Sequence, residues 1–568
     1  MNVPLVVTEF LSRARSIYPD AVGAVCAHER FTYRRLGERV DRLSAALARA
    51  GIAKGDVVAY ISFNCHRLLE GYYAVPQMGA VLLPVNIRLT SNDIAYILGD
   101  AGAKAIVIDR ALADLLAPIR SSLAGVRTII LMGGDPHARG ALDGEEYESL
   151  IGAAPSSFEA PDIAEDDIAE LFYTSGTTAH PKGVILTHRN LYLHALYALA
   201  GLPGYDDTCV QLHTIPLFHV NGWGTPHFVT LIGGRHVLLP KFDPEEVLAT
   251  IERERVTHVF LVPTMAAALI AAPSFPSRDL SSLRRVKLGG AASPPSIVRA
   301  LTERLPECHV AAGYGLSETS PILTAADLKA GLDLSPESSA ALRSKAGLPL
   351  PGVRIEVLDD AHRPLPHDGT SAGEICVRSN VVTKGYWKLP DETARVIVDG
   401  WFHTGDIGVI DEQGYVSILD RKKDIIITGG ENVASLEIEK VIHEQPAVFE
   451  CAVIALPDAR WGEIPAAIVV LRPGHTLDEG TLVAHCRVHL AHFKVPKRII
   501  FVDALPKGGT GKILKRELRE RYGALVRERS VLGLAFDRDR AFGDEGSDRT
   551  DRSEHRGQCR PDDSDGQR

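Results

Sequence analysis

Tyr173-Thr174-Ser175-Gly176-Thr177-Thr178-Ala179-His180-Pro181-Lys182-Gly183-Val184 is a small-hydroxyl, glycine-bearing loop that ends in a single lysine. Leu171-Phe172-Tyr173 reads as a short strand entering it, and Val184-Ile185-Leu186 as a short strand leaving it. A loop of this composition can wrap phosphates: glycine lets the backbone approach, hydroxyls donate hydrogen bonds, and the lysine adds a point charge. It is not a Walker A loop, which needs Gly-Lys-Ser/Thr opening a helix. Here Pro181 precedes the lysine, Gly183 follows it and a strand comes next. A lone Ser/Thr/Gly cluster is usually a polar surface turn, but this long ordered run between two strands argues against that default.

Working outward, residues 1 to about 150 alternate strand and helix patterns. Phe31-Thr32-Tyr33 is strand-like, and Arg35 to Ala50 is an amphipathic helix stopped by Gly51. Val57 to Ile61 is a buried strand, Cys65 to Met78 a helix ended by Gly79, and Ala80 to Val85 another strand. This alternation predicts an α/β fold with open, mostly parallel sheets flanked by helices. A second round follows the loop, with Asn190 expected to cap a helix over Leu191–Ala200. Thr257–Val262, Val286–Leu288 and Val310–Ala312 are further strands, and functional groups should gather where parallel strands end. From about Leu348 short strands and turn signals such as Asp359-Asp360, Asp368-Gly369, Asp399-Gly400 and Gln413-Gly414 predict a β-rich subdomain. A smaller α+β unit follows, with Ser435 expected to cap a helix through His443. Residues 541–568, rich in Asp, Arg, Ser and Gly, are expected to be a disordered tail.

The chain is 568 residues long, enough for two or more domains, and 45% hydrophobic and 24% charged, ordinary for a globular protein. A net charge of -10 argues against a general nucleic-acid binder. No secretory signal is visible at the N-terminus and no apolar run is long enough to cross a bilayer. Cys26, Cys65, Cys209, Cys308, Cys376, Cys451, Cys486 and Cys559 are scattered singly, which points to reduced thiols in a cytoplasmic protein and to no structural metal site.

Several further motifs carry chemistry. Gly313-Tyr314-Gly315-Leu316-Ser317-Glu318-Thr319 sets an aromatic between two glycines, where it can lie against a base with the glycines leaving room, and puts a carboxylate four residues on. Trp401-Phe402-His403-Thr404-Gly405-Asp406 ends in an aspartate, and Asp420-Arg421-Lys422-Lys423-Asp424 is a charged turn. Gly429-Gly430-Glu431-Asn432-Val433 is a glycine-rich loop. Leu505-Pro506-Lys507-Gly508-Gly509-Thr510-Gly511-Lys512-Ile513 places a lysine after a glycine-rich turn. Taken alone, each has an ordinary structural reading: a turn, a helix cap or a solvated charge.

Taken in series, the motifs resemble the adenylate-forming enzymes: acyl-CoA synthetases, firefly-type luciferases and the adenylation domains of peptide synthetases. The resemblance runs over about residues 10 to 528. It implies a large N-terminal domain over 1–420 of helix-flanked sheets with a β-rich subdomain, a hinge at 421–423, and a small mobile C-terminal domain over 424–530. It implies ATP contacts from Thr174, Ser175, Gly176, Thr177, Thr178 and Lys182 in the phosphate loop, from Gly290 and Ala291, and from Gly313, Tyr314, Gly315 and Ser317. By the same resemblance Tyr314 packs on adenine, Glu318 with Thr178 holds Mg²⁺, Asp406 takes the ribose hydroxyls and Arg421 also contacts the ribose. Lys423 is the position about which the small domain swivels, and Gly429, Gly430 and Glu431 line the coenzyme A path. Lys512 matches the lysine that reaches the acid carboxylate and the α-phosphate; with Lys182 and Glu318 it makes up the expected catalytic set. The chain departs from the family at Ala179, where a second glycine is usual, and at Ser317, where threonine is commoner.

The acid is read from Pro216-Leu217-Phe218-His219-Val220-Asn221-Gly222-Trp223-Gly224. No carboxylate stands there for an amino-acid ammonium, so an apolar carboxylic acid is expected. His219, Gly222, Trp223 and Gly289 are the expected acid contacts. By resemblance to fatty acyl-CoA synthetases the Trp223 indole closes the acyl tunnel, while Gly289, Gly290, Ala291 and Ala292 leave room along the other wall. The resemblance implies ATP, Mg²⁺ and coenzyme A as the small-molecule partners and a medium- or long-chain fatty acid as substrate. Short-chain, thioether and aryl acids stay open, as do a carrier-protein acceptor and a non-catalytic nucleotide-binding relative. No nucleic-acid partner and no transmembrane segment are expected. Peripheral membrane contact and a monomeric or homodimeric state are both left open.

Overall fold

The structure is a computed structural model that describes residues 3–134, 142–174, 180–458, 460–507 and 513–531, with side chains as far as 523. Residues 175–179 of the phosphate loop, including Ser175, Gly176, Thr177 and Thr178, lie outside the described residues, as do Lys512 and the 541–568 tail.

Two large sheets carry the N-terminal part. The eight-stranded sheet runs, edge to edge, through Gly385–Tyr386, Lys182–Thr187, Ile168–Thr174, Val81–Pro84, Val57–Ile61, Ala103–Asp109, Thr128–Met132 and Glu145–Glu146. Its inner strands are parallel, and Lys182–Thr187 returns antiparallel to Ile168–Thr174. The nine-stranded sheet places Arg285–Leu288, His258–Leu261 and Val210–His213 side by side in parallel, with His309–Gly315 on one flank and Arg235–Leu238 and Val22–Cys26 on the other. Continuous burial of Val57–Ile61 and Val81–Pro84 explains their unbroken apolar sequence, because helices cover both sheet faces. One core runs across both sheets, from Tyr60 and Val58 through Leu217 and Trp223 to Phe260 and Ile322.

Several boundaries differ from the sequence reading. The strand over Glu29–Thr32 stops before Tyr33, which opens the helix Tyr33–Arg49 because Thr32 accepts the Arg35 N–H as its cap. Asn190 is not a cap. Thr187 caps the helix His188–Gly201, and Asn190 is the third residue of a reciprocal capping box that satisfies the Thr187 N–H. Ser435 is likewise the first helical residue rather than the cap of Ser435–His443. Its N–H is taken by Asp420 Oδ2 at 2.5 Å, so a carboxylate from the preceding sheet does the capping.

The β-rich subdomain is a five-stranded antiparallel sheet of Val353–Leu358, Gly373–Ser379, Trp401–Ile410, Ile397–Val398 and Val416–Arg421. The C-terminal unit is a second five-stranded sheet, dominated by the hairpin Val448–Asp458 and Gly462–Leu471, with Ser435–His443, Glu479–His489 and Lys515–Val531 as its helices. The large α/β N-terminal part and the small α+β unit agree with the predicted architecture. Among the described residues no helix is long and apolar enough to cross a membrane, and the cysteines are free thiols.

Candidate active site

Tyr314 lies near the end of the strand His309–Gly315. The flanking glycines serve the chain itself rather than leaving room for a base. A Cβ on Gly313 would sit 2.8 Å from the Thr324 carbonyl, and one on Gly315 would overlap the Pro321 carbonyl. Both are close approaches to the adjoining antiparallel strand Ile322–Ala325. The Tyr314 hydroxyl donates to Asp406 Oδ2 at 2.6 Å, and the Arg421 guanidinium meets Asp406 Oδ1 at 2.6 Å. Burial, and then the neighbouring Asp406 charge, keep the Tyr314 phenol protonated well above its ordinary range. Asp406 is 2% exposed. A carboxylate this buried is retained because charge-assisted donors hold both oxygens, and those oxygens suit the two hydroxyls of a ribose.

Lys182 and Glu318 meet on one residue, Tyr386. The Lys182 ammonium lies 5.4 Å from the centre of the Tyr386 ring, and the Tyr386 hydroxyl donates to Glu318 Oε1 at 2.9 Å. Lys182 also pairs with Glu392 Oε2 at 2.5 Å, and Arg395 bonds the other oxygen of Glu392. The Lys182 hydrogen bond holds the Glu392 carboxyl below its ordinary range. Neither Tyr386 nor Glu392 was singled out in the sequence. The signal available was their place in Gly385-Tyr386-Trp387-Lys388-Leu389-Pro390-Asp391-Glu392-Thr393, whose first two residues pair with Val184 and Ile185 just after the phosphate loop. Glu318 is partly exposed and tied at one oxygen, which fits a hard cation that takes oxygen ligands. Ser317 is buried beside it.

The acid segment adopts an unusual backbone. Val220, Asn221, Gly222, Trp223 and Gly224 have φ of 33, 44, 53, 65 and 84°, a left-handed turn. Left-handed backbone costs about 1–2 kcal/mol for a residue with a side chain, so the surroundings must hold this turn. Trp223 is 8% exposed and packs at 5.7 Å against the Phe260 ring. Its indole fills the space over the glycines opposite: a Cβ on Gly289 would lie 3.1 Å from it and one on Gly290 3.2 Å. The structure therefore brings Trp223, Gly289 and Gly290 together. The room expected along that wall is taken by the indole, while Ala291 and Ala292 beyond it are exposed. His219 precedes the turn, and Gly222, its φ positive, packs on Leu217.

At the domain junction Lys423 is exposed in the turn Arg421–Asp424, while Asp424 is held by Arg519 at 2.7 Å. Gly429 and Gly430 have φ of 59 and 89°, and Glu431 opens the next strand. Gly429 lies against Trp461, where a Cβ would approach the indole to 2.8 Å.

The model of the AMP-binding enzyme family matches residues 11–387, and that of the AMP-binding enzyme C-terminal domain matches 437–512. The chain is 38% identical over 530 residues to a long-chain-fatty-acid–CoA ligase of Thermus thermophilus, covering 92% of this chain and 96% of that one. It is 36% identical over 531 residues to a 3-methylmercaptopropionyl-CoA ligase of Ruegeria pomeroyi, covering 92% and 98%. The crystal structure of an anthranilate CoA ligase in complex with anthranoyl-AMP superposes with a TM-score of 0.84 at 26% identity, covering 93% and 99%. With motifs, fold and both family matches in the same order along the sequence, the chain belongs to the AMP-binding enzymes.

Proposed function

We propose that the chain is an ATP-dependent acyl-CoA ligase working in two half-reactions. A carboxylate oxygen attacks the α-phosphorus of ATP, giving acyl-AMP and releasing pyrophosphate. The thiol of coenzyme A then attacks the acyl carbonyl, and AMP leaves. The observation that carries this reading is the meeting of Lys182 and Glu318 on Tyr386. One phosphate-directed cation and one carboxylate are thereby held in a single cluster. The buried Asp406, with Tyr314 and Arg421, supplies the nucleoside end.

Each residue has a physical task in this reading. Acid and ATP are both anions, so their approach needs cations that act mainly in the transition state. Lys182 supplies one after exchanging Glu392 for phosphate oxygens. Lys512 supplies the second. Glu318, with Thr178, would hold Mg²⁺, which neutralises phosphate charge when bound. Tyr314 packs on adenine, with Gly290, Ala291, Gly313 and Gly315 nearby, and Asp406 and Arg421 take the ribose. We place the hinge at Arg421–Lys423, the adenylation domain over 1–420 and the mobile domain over 424–530. Rotation about Lys423 would withdraw Lys512 and bring Gly429, Gly430 and Glu431 to the thiol path. The exposure of Lys423 in its turn supports this. Free, scattered thiols support a reducing, cytoplasmic setting.

For the acid we propose a medium- or long-chain fatty acid bounded by Trp223 and Gly289, with His219 and Gly222 placing its head. The relatives named above act on fatty, thioether and aryl acids, so a panel must span all three. With ATP, Mg²⁺ and coenzyme A, the preferred acid should yield AMP, pyrophosphate and thioester. Release of ADP and phosphate instead would refute the mechanism, and thioester formed only on a phosphopantetheine-bearing carrier would move the acceptor from free coenzyme A.

A further inference from the structure

Glu170 carries a carboxylate at a position where the strand Ile168–Thr174 should have an apolar residue. It is 0% exposed, between the buried Ala169 and Leu171. Both its oxygens are used. Oε2 accepts from Asn221 Nδ2 at 2.9 Å, and Oε1 is bonded to His227 Nε2 at 2.7 Å. His227 is itself 0% exposed, with the edges of Tyr72 and Tyr73 around it. Asn221 Oδ1 and His227 Nδ1 are buried without a hydrogen-bond partner. The side-chain hydrogen bonds of Asn221 and His227 thus converge on the one carboxylate.

What that carboxylate grips is the centre of the left-handed turn. Asn221 has φ 44°, between Val220 at 33° and Trp223 at 65°. A β-branched valine and a tryptophan do not adopt such values unless something outside the turn holds them. Thr225 helps by donating to the Gly222 carbonyl at 2.9 Å, but the Asn221 amide is the side chain that ties the middle of the turn to a different sheet. The strand supplying Glu170 continues through Thr174 directly into the phosphate loop. Resting on the acid pocket proposed above, we infer that Glu170 is a positioning residue for acid recognition, acting through Asn221 to lock the turn that presents Trp223 to Gly289 and Gly290.

The test is a donor–acceptor swap read in steady-state kinetics. Asn221→Asp sets a second carboxylate against Glu170 in a dry site. It should raise the KM of the preferred acid at least tenfold and flatten chain-length preference, while the KM for MgATP moves less than about twofold. Adding Glu170→Gln restores a donor facing the new acceptor, and should bring the acid KM back to within about threefold of the parent. Should Asn221→Asp fail to fold, Asn221→Gly and Asn221→Ala decide: glycine accepts the positive φ without a clamp and keeps acid preference, whereas alanine loses it. The inference is overturned if acid and MgATP constants move together, if the double variant is no better than the single, or if alanine and glycine behave alike. A parent enzyme that exchanges pyrophosphate with no acid in the panel would instead refute the function on which the inference rests.

Discussion

Around Tyr314 and Lys182 the chain keeps its charges in pairs with at least one partly exposed member. Asp406 holds Tyr314 and Arg421, Lys182 holds Glu392, and Glu318 accepts from Tyr386. Around Trp223 the materials are different. The groups are buried and the backbone left-handed, with the carboxylate of Glu170 as anchor. Burial alone pushes His213 down to about 3, and burial followed by the nearby His227 pushes His194 to about 3. On the proposed assignment, nucleotide recognition would rest on exchangeable electrostatics and acid recognition on packing. Substitutions should therefore split the two kinetically.

The largest effect should come from Lys512→Ala. Loss of a cation aimed at the transition state should lower acid-dependent ATP–pyrophosphate exchange by about 100- to 1,000-fold, or about 2.7–4 kcal/mol. Thioester formation from supplied acyl-AMP should fall far less. Comparing the two half-reactions checks this, and equal losses would break the proposed division of labour.

On the acid side, Trp223→Ala opens space over Gly289 and Gly290. Preference should shift toward longer or bulkier acids by about 10- to 200-fold in relative kcat/KM, the range a pocket resolves per methylene. The MgATP constant should stay put. An unchanged acid profile would mean that the indole is only core packing.

The buried histidines make the same region acid-sensitive. His194 and His213 titrate near 3 in the folded chain and near 6.5 when unfolded, so the unfolded state binds more protons between these values. Stability is complete above pH 6.5 and falls as pH drops toward 3, by about 1.4 kcal/mol per pH unit for each such group. Thermal unfolding followed from pH 7 to 4 checks the sign. A flat profile would contradict neutral burial.

Glu392→Gln should have the smallest effect. Removing the internal counter-ion of Lys182 frees the ammonium for phosphate, so the KM for MgATP should fall about two- to fivefold, on the scale of a partly exposed ion pair. A rise would show that Glu392 positions Lys182 rather than competing for it.

Legibility in the sequence follows the same contrast. Tyr314, Glu318, Asp406 and Lys182 were singled out because their motifs in series resemble a known family, and the structure joins Tyr314 to Asp406 and brings Lys182 and Glu318 to Tyr386. The two large sheets could be read because their inner strands are unbroken apolar runs. Glu170 was passed over. A glutamate within Ile168-Ala169-Glu170-Leu171-Phe172-Tyr173 resembles the polar face of a half-exposed strand until its partner, 51 residues away in sequence, is known. The left-handed turn was hidden for a similar reason, since no local rule places Val220 and Trp223 at positive φ. Ser435 and Asn190 were misread as caps because capping was decided by Asp420, 15 residues distant, and by Thr187, three residues earlier.

The most direct measurement of the central claim follows oxygen. With the preferred acid labelled in both carboxylate oxygens with ¹⁸O, one label should pass into the released AMP and none into pyrophosphate, because a carboxylate oxygen becomes bonded to the α-phosphorus and stays there when the thiol displaces AMP. Unlabelled AMP, or label in a released inorganic phosphate, would contradict attack at the α-phosphorus and with it the adenylate.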